Sequence, residues 1–272
     1  MAQRSVWHRI RRIWIATGLT ATIVFVGWCA LAYRATADAK AAIVTDGRVL
    51  VEPDVGVVRF TSASQPTKVP VGLLFFAGSL VDPVAYAPLA RAIATAGYPV
   101  ILVSLPRRGA FGGADSPEVL QNALGAIHDD ERAAQWLIGG HSRGAVVATR
   151  MVSQLASLGA GSVAGLLLVG TSHPRDVDLS AYKRPVTKIV ATRDGLASLE
   201  KVEANRHLLP ATTRWVRIEG GNHSQFGWYG FQPGDRFATI SRESQQRQMI
   251  TAILEALRVA GEGRRTELAP LY

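Results

Sequence analysis

The fold is decided by the stretch WLIGGHSRGAVVATR, residues 136–150, in which a lone serine lies between glycines. The apolar run before the glycines predicts a buried strand, and the small residues after them predict a helix. Gly140 and Gly144, two positions before and two after Ser142, have no Cβ, so the strand and the helix can approach closely. The stretch therefore predicts a sharp strand–turn–helix elbow that exposes the hydroxyl of Ser142 beside a helix N-terminus, as a nucleophile requires.

The remainder of the chain alternates between apolar strands and helices. Two strand patterns at the start, residues 48–52 and 55–62, are separated by a turn and predict an antiparallel opening. Unbroken apolar runs alternating with helices then predict a mostly parallel sheet that is covered on both faces. The apolar runs are 71–76, 100–104, 136–139, 165–170, 186–191 and 214–220, and the clearest helical segments are 117–134, 143–158 and 241–259.

The partners of the serine are expected at the ends of other strands, because functional groups gather beyond the carboxyl ends of parallel strands. Asp194 follows the strand of 186–191, and His223 follows the strand of 214–220, 29 residues further along the chain. The order serine, acid, histidine is typical of this kind of sheet. We therefore predict that Asp194 orients His223 and that His223 takes the proton of Ser142.

Two alternatives to this assignment are present in the sequence. His141 is adjacent to the serine, but neighbouring side chains leave such a turn in different directions, so it is expected to pack beside the elbow. Asp176 and Asp178 follow the strand of 165–170 and are rival candidates for the acid.

An oxyanion hole needs two N–H donors aimed at the developing negative charge. One is expected from the backbone of Arg143, the residue after the nucleophile. The other is expected from the loop AGSLVDP, residues 77–83, where Gly78 lets the backbone approach the substrate. Ser79 or Leu80 then supplies the N–H, and we predict Ser79.

These pieces together resemble the α/β-hydrolase superfamily, and more closely its compact branch of dienelactone-hydrolase-like serine hydrolases without a large cap. The resemblance covers roughly residues 71–259, and its matching stretches are 75–106, 138–145, 191–195 and 220–227. It implies an α/β-hydrolase fold with an eight-stranded, mostly parallel sheet and helices on both faces. It also implies a Ser142–Asp194–His223 triad.

The chain departs from that branch at two positions. Dienelactone hydrolases use a cysteine nucleophile, whereas this chain has Ser142 there. The position after the nucleophile is often small or apolar, whereas here it is Arg143, whose side chain either points to solvent or binds an acidic partner.

The N-terminus predicts a transmembrane helix. Residues 13–33 are 21 positions without a charge, and about 20 apolar residues cross a bilayer. The arginines before them favour a cytoplasmic N-terminus, so the catalytic domain is expected outside the cytoplasm. A cleaved signal peptide with small-residue sites at 35–37 and 37–39 is the alternative, and it predicts a secreted protein. The expected organisation is a basic flank at 1–12, a signal-anchor at 13–33, a linker at 34–47 and a catalytic domain at 48–272.

Net charge and motifs argue against several other classes of function. The net charge is +9, but four arginines of the first twelve residues supply much of it and no later basic run carries interleaved aromatics, so nucleic-acid binding is not expected. The histidines lack metal-ligand spacing and no nucleotide motif is present, so we predict neither a metal nor a cofactor. The sequence predicts a hydrolase of small carboxylic esters. An acyltransferase, thioesterase or peptidase with the same triad, or a non-catalytic binding protein, remains open, as does the oligomeric state.

Overall fold

The computed structural model describes residues 2–64, 68–157 and 161–267. Eight strands form one sheet: β1 (Val49–Asp54), β2 (Val57–Ser62), β3 (Val69–Phe76), β4 (Val100–Val103), β5 (Ala133–His141), β6 (Val163–Val169), β7 (Val186–Ala191) and β8 (Arg214–Ile218). The helices are α1 (Ala2–Ala32), α2 (Ala37–Ala41), α3 (Ala87–Thr95), α4 (Pro117–His128), α5 (Arg143–Ser157), α6 (Leu199–Ala204) and α7 (Arg242–Glu267). Short 3₁₀ turns lie at Pro83–Tyr86, Pro106–Gly109, Gly113–Asp115, Arg206–Leu208 and Ser224–Phe226.

The sheet has the order β1-β2-β4-β3-β5-β6-β7-β8. β2 pairs antiparallel with both β1 and β4, and the pairings from β4 to β8 are parallel. The antiparallel opening and the eight-stranded, mostly parallel sheet are therefore as the sequence predicted. Separate apolar clusters cover the two faces of this sheet, as expected for strands whose side chains are buried on both sides.

The carboxyl ends of β3, β5, β7 and β8 lie at one edge of the sheet. This follows from their parallel pairing, which places Phe76 of β3 beside Gly140 of β5 and Ala191 of β7 beside Ile218 of β8. Between β6 and β7, residues 170–185 form a loop without a helix, so no large cap covers this edge from that segment.

The N-terminal helix α1 joins the globular body at Ala32. Its segment Val6–Ala32 is long and apolar enough to cross a membrane, and most of its apolar side chains are exposed. The chain then turns onto the body. Residues 34–47, which the sequence predicts as a linker, contain α2, and Ala39 of this helix is fully buried. This segment is packed against the body rather than free in solvent.

Candidate active site

Ser142 occupies the turn between β5 and α5. Its φ of 54° is in the left-handed region, which costs a residue with a Cβ about 1–2 kcal/mol. Its N–H donates to the carbonyl of Val169 over 2.9 Å, which fixes the turn to the end of β6. A Cβ on Gly140 would lie 2.5 Å from the carbonyl carbon of Gly144, and one on Gly144 would lie 2.3 Å from the carbonyl oxygen of Phe76. The two glycines are thus required by close backbone approach.

Asp194 and His223 meet at the same edge. Oδ2 of Asp194 lies 2.8 Å from Nδ1 of His223, and both side chains are 1% exposed. Oδ1 of the aspartate accepts hydrogen bonds from the N–H groups of Leu196 (2.9 Å) and Ala197 (2.6 Å), so the carboxylate is held in one orientation. Nε2 of His223 is buried and has no hydrogen-bond partner among the described residues. The carboxylate therefore orients an imidazole whose second nitrogen is free to exchange a proton.

Ser142 and His223 line one cavity of about 230 Å³ at the carboxyl edge of the sheet. Its other lining residues come from the start of α5, the loop after β6 and the loop after β7: Arg143, Val146, Gly170, Thr171, Ser172, His173, Arg175, Leu196 and Ala197. Two larger surface depressions lie around Lys183 and Arg184, away from Ser142. Of these three hollows, the smaller cavity is the one that both Ser142 and His223 line.

His141 packs against the ring of His223. Its ring centroid lies 4.5 Å from that of His223, and its Nδ1 lies 2.8 Å from the hydroxyl of Tyr86. That hydroxyl accepts a hydrogen bond from the N–H of Gly78 over 3.1 Å, so its own proton is available to the imidazole. Burial, and next the nearby His223, lower the pKa of His141 well below its ordinary value, which keeps the ring neutral. A second charge beside His223 is thereby avoided.

Asp235 is a site residue that sequence reasoning missed. Its Oδ1 accepts from the N–H groups of Gly195 (3.0 Å) and His223 (3.2 Å), and its Oδ2 accepts from the N–H (2.8 Å) and hydroxyl (2.7 Å) of Ser224. One carboxylate thus connects the loop that carries Asp194 to the loop that carries His223. Gly234 and Asp235 form a pattern typical of an ordinary turn. The sequence signal for a role at the site is the position of Asp235, twelve residues after His223.

The two N–H groups that the sequence predicts for the oxyanion hole have no hydrogen-bond partner within the described residues. Arg143 is the first residue of α5, and its N–H makes no hydrogen bond within the described residues. The N–H of Ser79 also has no partner there, whereas that of Leu80 donates to the carbonyl of Arg108 over 2.6 Å. Leu80 itself has a φ of 65°. Of the two candidates after β3, Ser79 is therefore the one whose N–H is free.

The side chain of Arg143 binds an acidic partner. Its Nη2 lies 2.6 Å from both oxygens of Asp115, which also contacts the guanidinium of Arg150. Arg150, in turn, lies 3.3 Å from Oδ2 of Asp176. Hydrogen bonds from these arginines hold the pKa of Asp115 below its ordinary value. Arg143 thus ties α5 to the 3₁₀ turn at Gly113–Asp115.

Asp176 and Asp178, the alternative acids of the sequence, lie away from His223. Asp176 is engaged with Arg150 and with Nδ1 of His173, at 3.6 Å, and Asp178 accepts from the N–H of Ser180 over 2.8 Å. Neither contacts His223. Within the described ranges, no group of three or more histidine, cysteine, aspartate or glutamate side chains is arranged to hold a metal ion.

Comparison with known proteins agrees with this architecture. Residues 72–247 match the profile of the family described as "Alpha/beta hydrolase family", which is well over half of the chain. The chain belongs to the alpha/beta hydrolase family. The match is to the family as a whole, and the dienelactone-hydrolase-like branch stays a prediction. A search of curated proteins finds no match.

Solved structures of several esterases share the fold of this alpha/beta hydrolase. A Pyrobaculum calidifontis esterase is 16% identical with a TM-score of 0.60, and 81% of this chain and 89% of that one are covered. A bacterial heroin esterase is 20% identical with a TM-score of 0.56, with coverage of 81% and 88%. A structure from a study of two fungal esterases of Rhizomucor miehei is 15% identical with a TM-score of 0.56, with coverage of 82% and 88%. At these identities the likeness establishes the fold.

Proposed function

We propose that the protein is a membrane-anchored serine hydrolase that cleaves carboxylic esters through an acyl-enzyme. The observation that carries this proposal is the buried Asp194–His223 pair, because its free Nε2 belongs to a residue that lines the same cavity as Ser142. A buried carboxylate on one imidazole nitrogen, with a serine hydroxyl within reach of the other, is the arrangement that activates a serine. The esterases with the same fold support the choice of an ester bond.

In the proposed reaction, Oγ of Ser142 attacks the ester carbonyl carbon while Nε2 of His223 takes its proton. The negative charge that develops on the carbonyl oxygen is stabilised by the N–H groups of Arg143 and Ser79. The imidazolium then protonates the departing alcohol, the C–O bond breaks, and an acyl-serine remains. His223 next takes a proton from water, which attacks the acyl carbon, and the acid is released as the serine regains its proton. Asp194 stays ionised throughout and stabilises the imidazolium.

The size of the cavity favours small acyl groups. Ligand sites for larger molecules span roughly 300–1,000 Å³, whereas the cavity that Ser142 lines is about 230 Å³. A thioesterase, a peptidase or an acyltransferase would use the same three residues. Product analysis in the presence of an added alcohol separates hydrolysis from acyl transfer, since a transferase forms the new ester in preference to the acid.

Labelling with a fluorophosphonate probe tests the proposed nucleophile. The full-length protein should be labelled, and Ser142→Ala should abolish both labelling and cleavage of 4-nitrophenyl acetate. Ser180→Ala, a serine of the loop after β6, is the matched control and should behave as the wild type. A folded protein that stays unlabelled, or equal labelling of the Ser142→Ala variant, would favour a non-catalytic binding protein instead.

Substitution of aspartates by asparagine tests whether Asp194, rather than an aspartate after β6, is the acid of the triad. Asp194→Asn keeps the shape of the side chain but favours the wrong tautomer of His223, so the rate should fall by about 10⁴-fold. Asp178→Asn, the matched acid after β6, should leave the rate within a factor of about two because that carboxylate accepts a hydrogen bond from Ser180 of its own loop. The reverse pattern would contradict the assignment.

The proposed anchor is retained rather than cleaved, because the end of α1 is part of the catalytic body. The ring of Tyr33 stacks on the buried Tyr229 with centroids 6.3 Å apart, and its carbonyl accepts from the N–H of Asp82 over 2.9 Å. The carbonyl of Ala32 accepts from the N–H of Gly230 over 2.6 Å. Cleavage at either small-residue site would remove Tyr33 and these contacts.

Fractionation tests the anchor. The full-length chain should stay in membranes after carbonate extraction, and sequencing of its N-terminus should give the first residues of the chain. Reporter fusions after residue 272 should be active outside the cytoplasm, as the arginines before α1 favour. A soluble product that begins at residue 38 or 40 would establish the cleaved signal instead.

A further inference from the structure

The wall of the cavity around Ser142 contains two arginines, Arg143 and Arg175, and no carboxylate. The charge of Arg143 is already neutralised by Asp115, which binds it through both oxygens. The charge of Arg175 is not neutralised in this way. Arg175 is therefore the charged side chain of this wall that has no carboxylate partner among the described residues.

The guanidinium of Arg175 is held in place by a neutral group. Its Nε lies 3.1 Å from Oγ of Ser172, and its Nη2 also bonds to that oxygen. Ser172 is buried, and its carbonyl accepts from Nδ2 of Asn205 over 3.0 Å, so the serine is itself fixed. Within the described residues, no carboxylate lies within ion-pair distance of Arg175. An oriented guanidinium with free N–H groups is a good receptor for a planar anion.

Lys188 and His173 lie beside Arg175 without adding a carboxylate to this wall. Lys188 is fully buried beneath the same loop, and its Nζ bonds to the carbonyl of His173, with no acidic side chain beside it in the described part of the chain. Burial, and next the charge of Arg175, lower the pKa of His173 to about 4, in spite of the nearby Asp176. The imidazole of His173 is therefore neutral, and a substrate group placed against this wall meets the charge of Arg175.

We propose that Arg175 binds a carboxylate of the substrate, so that the enzyme prefers esters in which the acyl or the alcohol part is anionic. This inference rests on the proposed esterase function and specifies its substrate class. In the complex, the two carboxylate oxygens accept hydrogen bonds from the N–H groups of Arg175 that do not contact Ser172. The ester carbonyl then lies at Oγ of Ser142, which lines the same cavity.

The test uses two pairs of esters that differ only in charge. On the acyl side, monomethyl adipate is compared with methyl adipamate. On the alcohol side, 4-acetoxybenzoate is compared with 4-acetoxybenzamide. For at least one pair, we expect kcat/KM of the wild type to be about tenfold higher for the carboxylate than for the carboxamide, which equals about 1.4 kcal/mol of transition-state binding. The ratio should fall as salt is added, because the contact is open to solvent.

Substitutions of Arg175 test whether this residue causes the preference for carboxylate esters. Arg175→Gln should bring the ratio of kcat/KM close to one, and Arg175→Lys should restore part of it, since the charge returns without the planar fork. Arg107→Gln is the matched control. Arg107 is an arginine of the loop after β4 whose guanidinium contacts the carbonyl of Phe111, outside the cavity. This variant should keep the wild-type ratio.

The outcomes distinguish this inference from the function it depends on. A wild-type ratio near one for both pairs, or a preference that survives in Arg175→Gln, overturns the role of Arg175 and leaves the esterase proposal standing. Failure to cleave any of the four esters by a protein that the fluorophosphonate still labels also overturns the carboxylate preference alone. Failure of both cleavage and labelling overturns the two proposals together.

Discussion

Replacing Gly144 by alanine should damage both the stability and the chemistry of the elbow. The new Cβ would lie 2.3 Å from the carbonyl oxygen of Phe76 and 2.4 Å from that of Ala77, whereas ordinary contacts begin near 3.4 Å. Both obstacles are backbone atoms at the end of a central strand, so α5 must move by about 1 Å, and overpacking of this kind costs roughly 1–3 kcal/mol. Because neither atom can swing aside, we expect a value near the upper end of that range.

The same displacement should slow the reaction. Ser142 and the N–H of Arg143 both move with the start of α5, and a misplacement of about 1 Å can reduce a rate by about 100-fold. Stability is measured by urea denaturation of the full-length protein in detergent, followed by tryptophan fluorescence. Activity is measured by the rate of fluorophosphonate labelling.

Gly125→Ala is the matched control for this experiment. Gly125 is exposed on α4, and a Cβ there meets nothing within 4 Å. Since alanine is the better helix former, the control should gain about 0.8 kcal/mol and label normally. If Gly144→Ala is as stable as the wild type, or labels at the same rate, the close approach of α5 to β3 does not hold Ser142 in position.

Three further substitutions test the supports of the site. Asp235→Asn removes the carboxylate charge that accepts hydrogen bonds from the loops around His223. We expect a loss of about 2 kcal/mol in the free energy of unfolding and a lower kcat for ester cleavage. An unchanged kcat would contradict a positioning role. Tyr86→Phe leaves buried polar partners of its hydroxyl unpaired, including Nδ1 of His141, and should cost about 1–3 kcal/mol in urea denaturation. Burial lowers the pKa of Lys188 from 10.5 to about 7, so between these values the unfolded chain binds more protons and wild-type stability should rise with pH. Lys188→Met should lack this rise. If the free energies of unfolding of the two proteins change in parallel between pH 7 and 10, the lowered pKa of Lys188 is refuted.

The sequence predicted the parts of the fold that depend on local pattern. The elbow at Ser142, and the places of Asp194 and His223, follow from apolar runs that end in glycines and from the rule that parallel strands end at one edge. The boundary before β5 was placed wrongly, because alanines at 133 and 134 favour a helix. In the structure, α4 ends at His128, and Ala133 pairs instead with Val69 of β3. Pairing with a neighbouring strand outweighs the intrinsic helical preference of these alanines.

The supports of the site could not be read from the sequence, because they join residues that are distant in the chain. The hydroxyl of Tyr86 meets His141 across 55 positions, and Arg143 meets Asp115 across 28. Nothing in a pattern of apolar and polar residues selects one distant carboxylate over another. The hydrogen bonds that Asp235 accepts from the loops of Asp194 and His223 also join distant residues, because they depend on how two separate loops pack together.

The contact of Tyr33 with Tyr229 and Asp82 has a consequence for how the enzyme meets its substrate. Both partners follow the strands whose ends carry the site, so the chain enters the body at the edge where Ser142 lies. On the proposed anchoring, the active site therefore stays within a short, fixed reach of the bilayer surface. Its supply of ester is then set by the population of molecules in that thin layer, and its rate should follow the surface density of substrate rather than the bulk concentration.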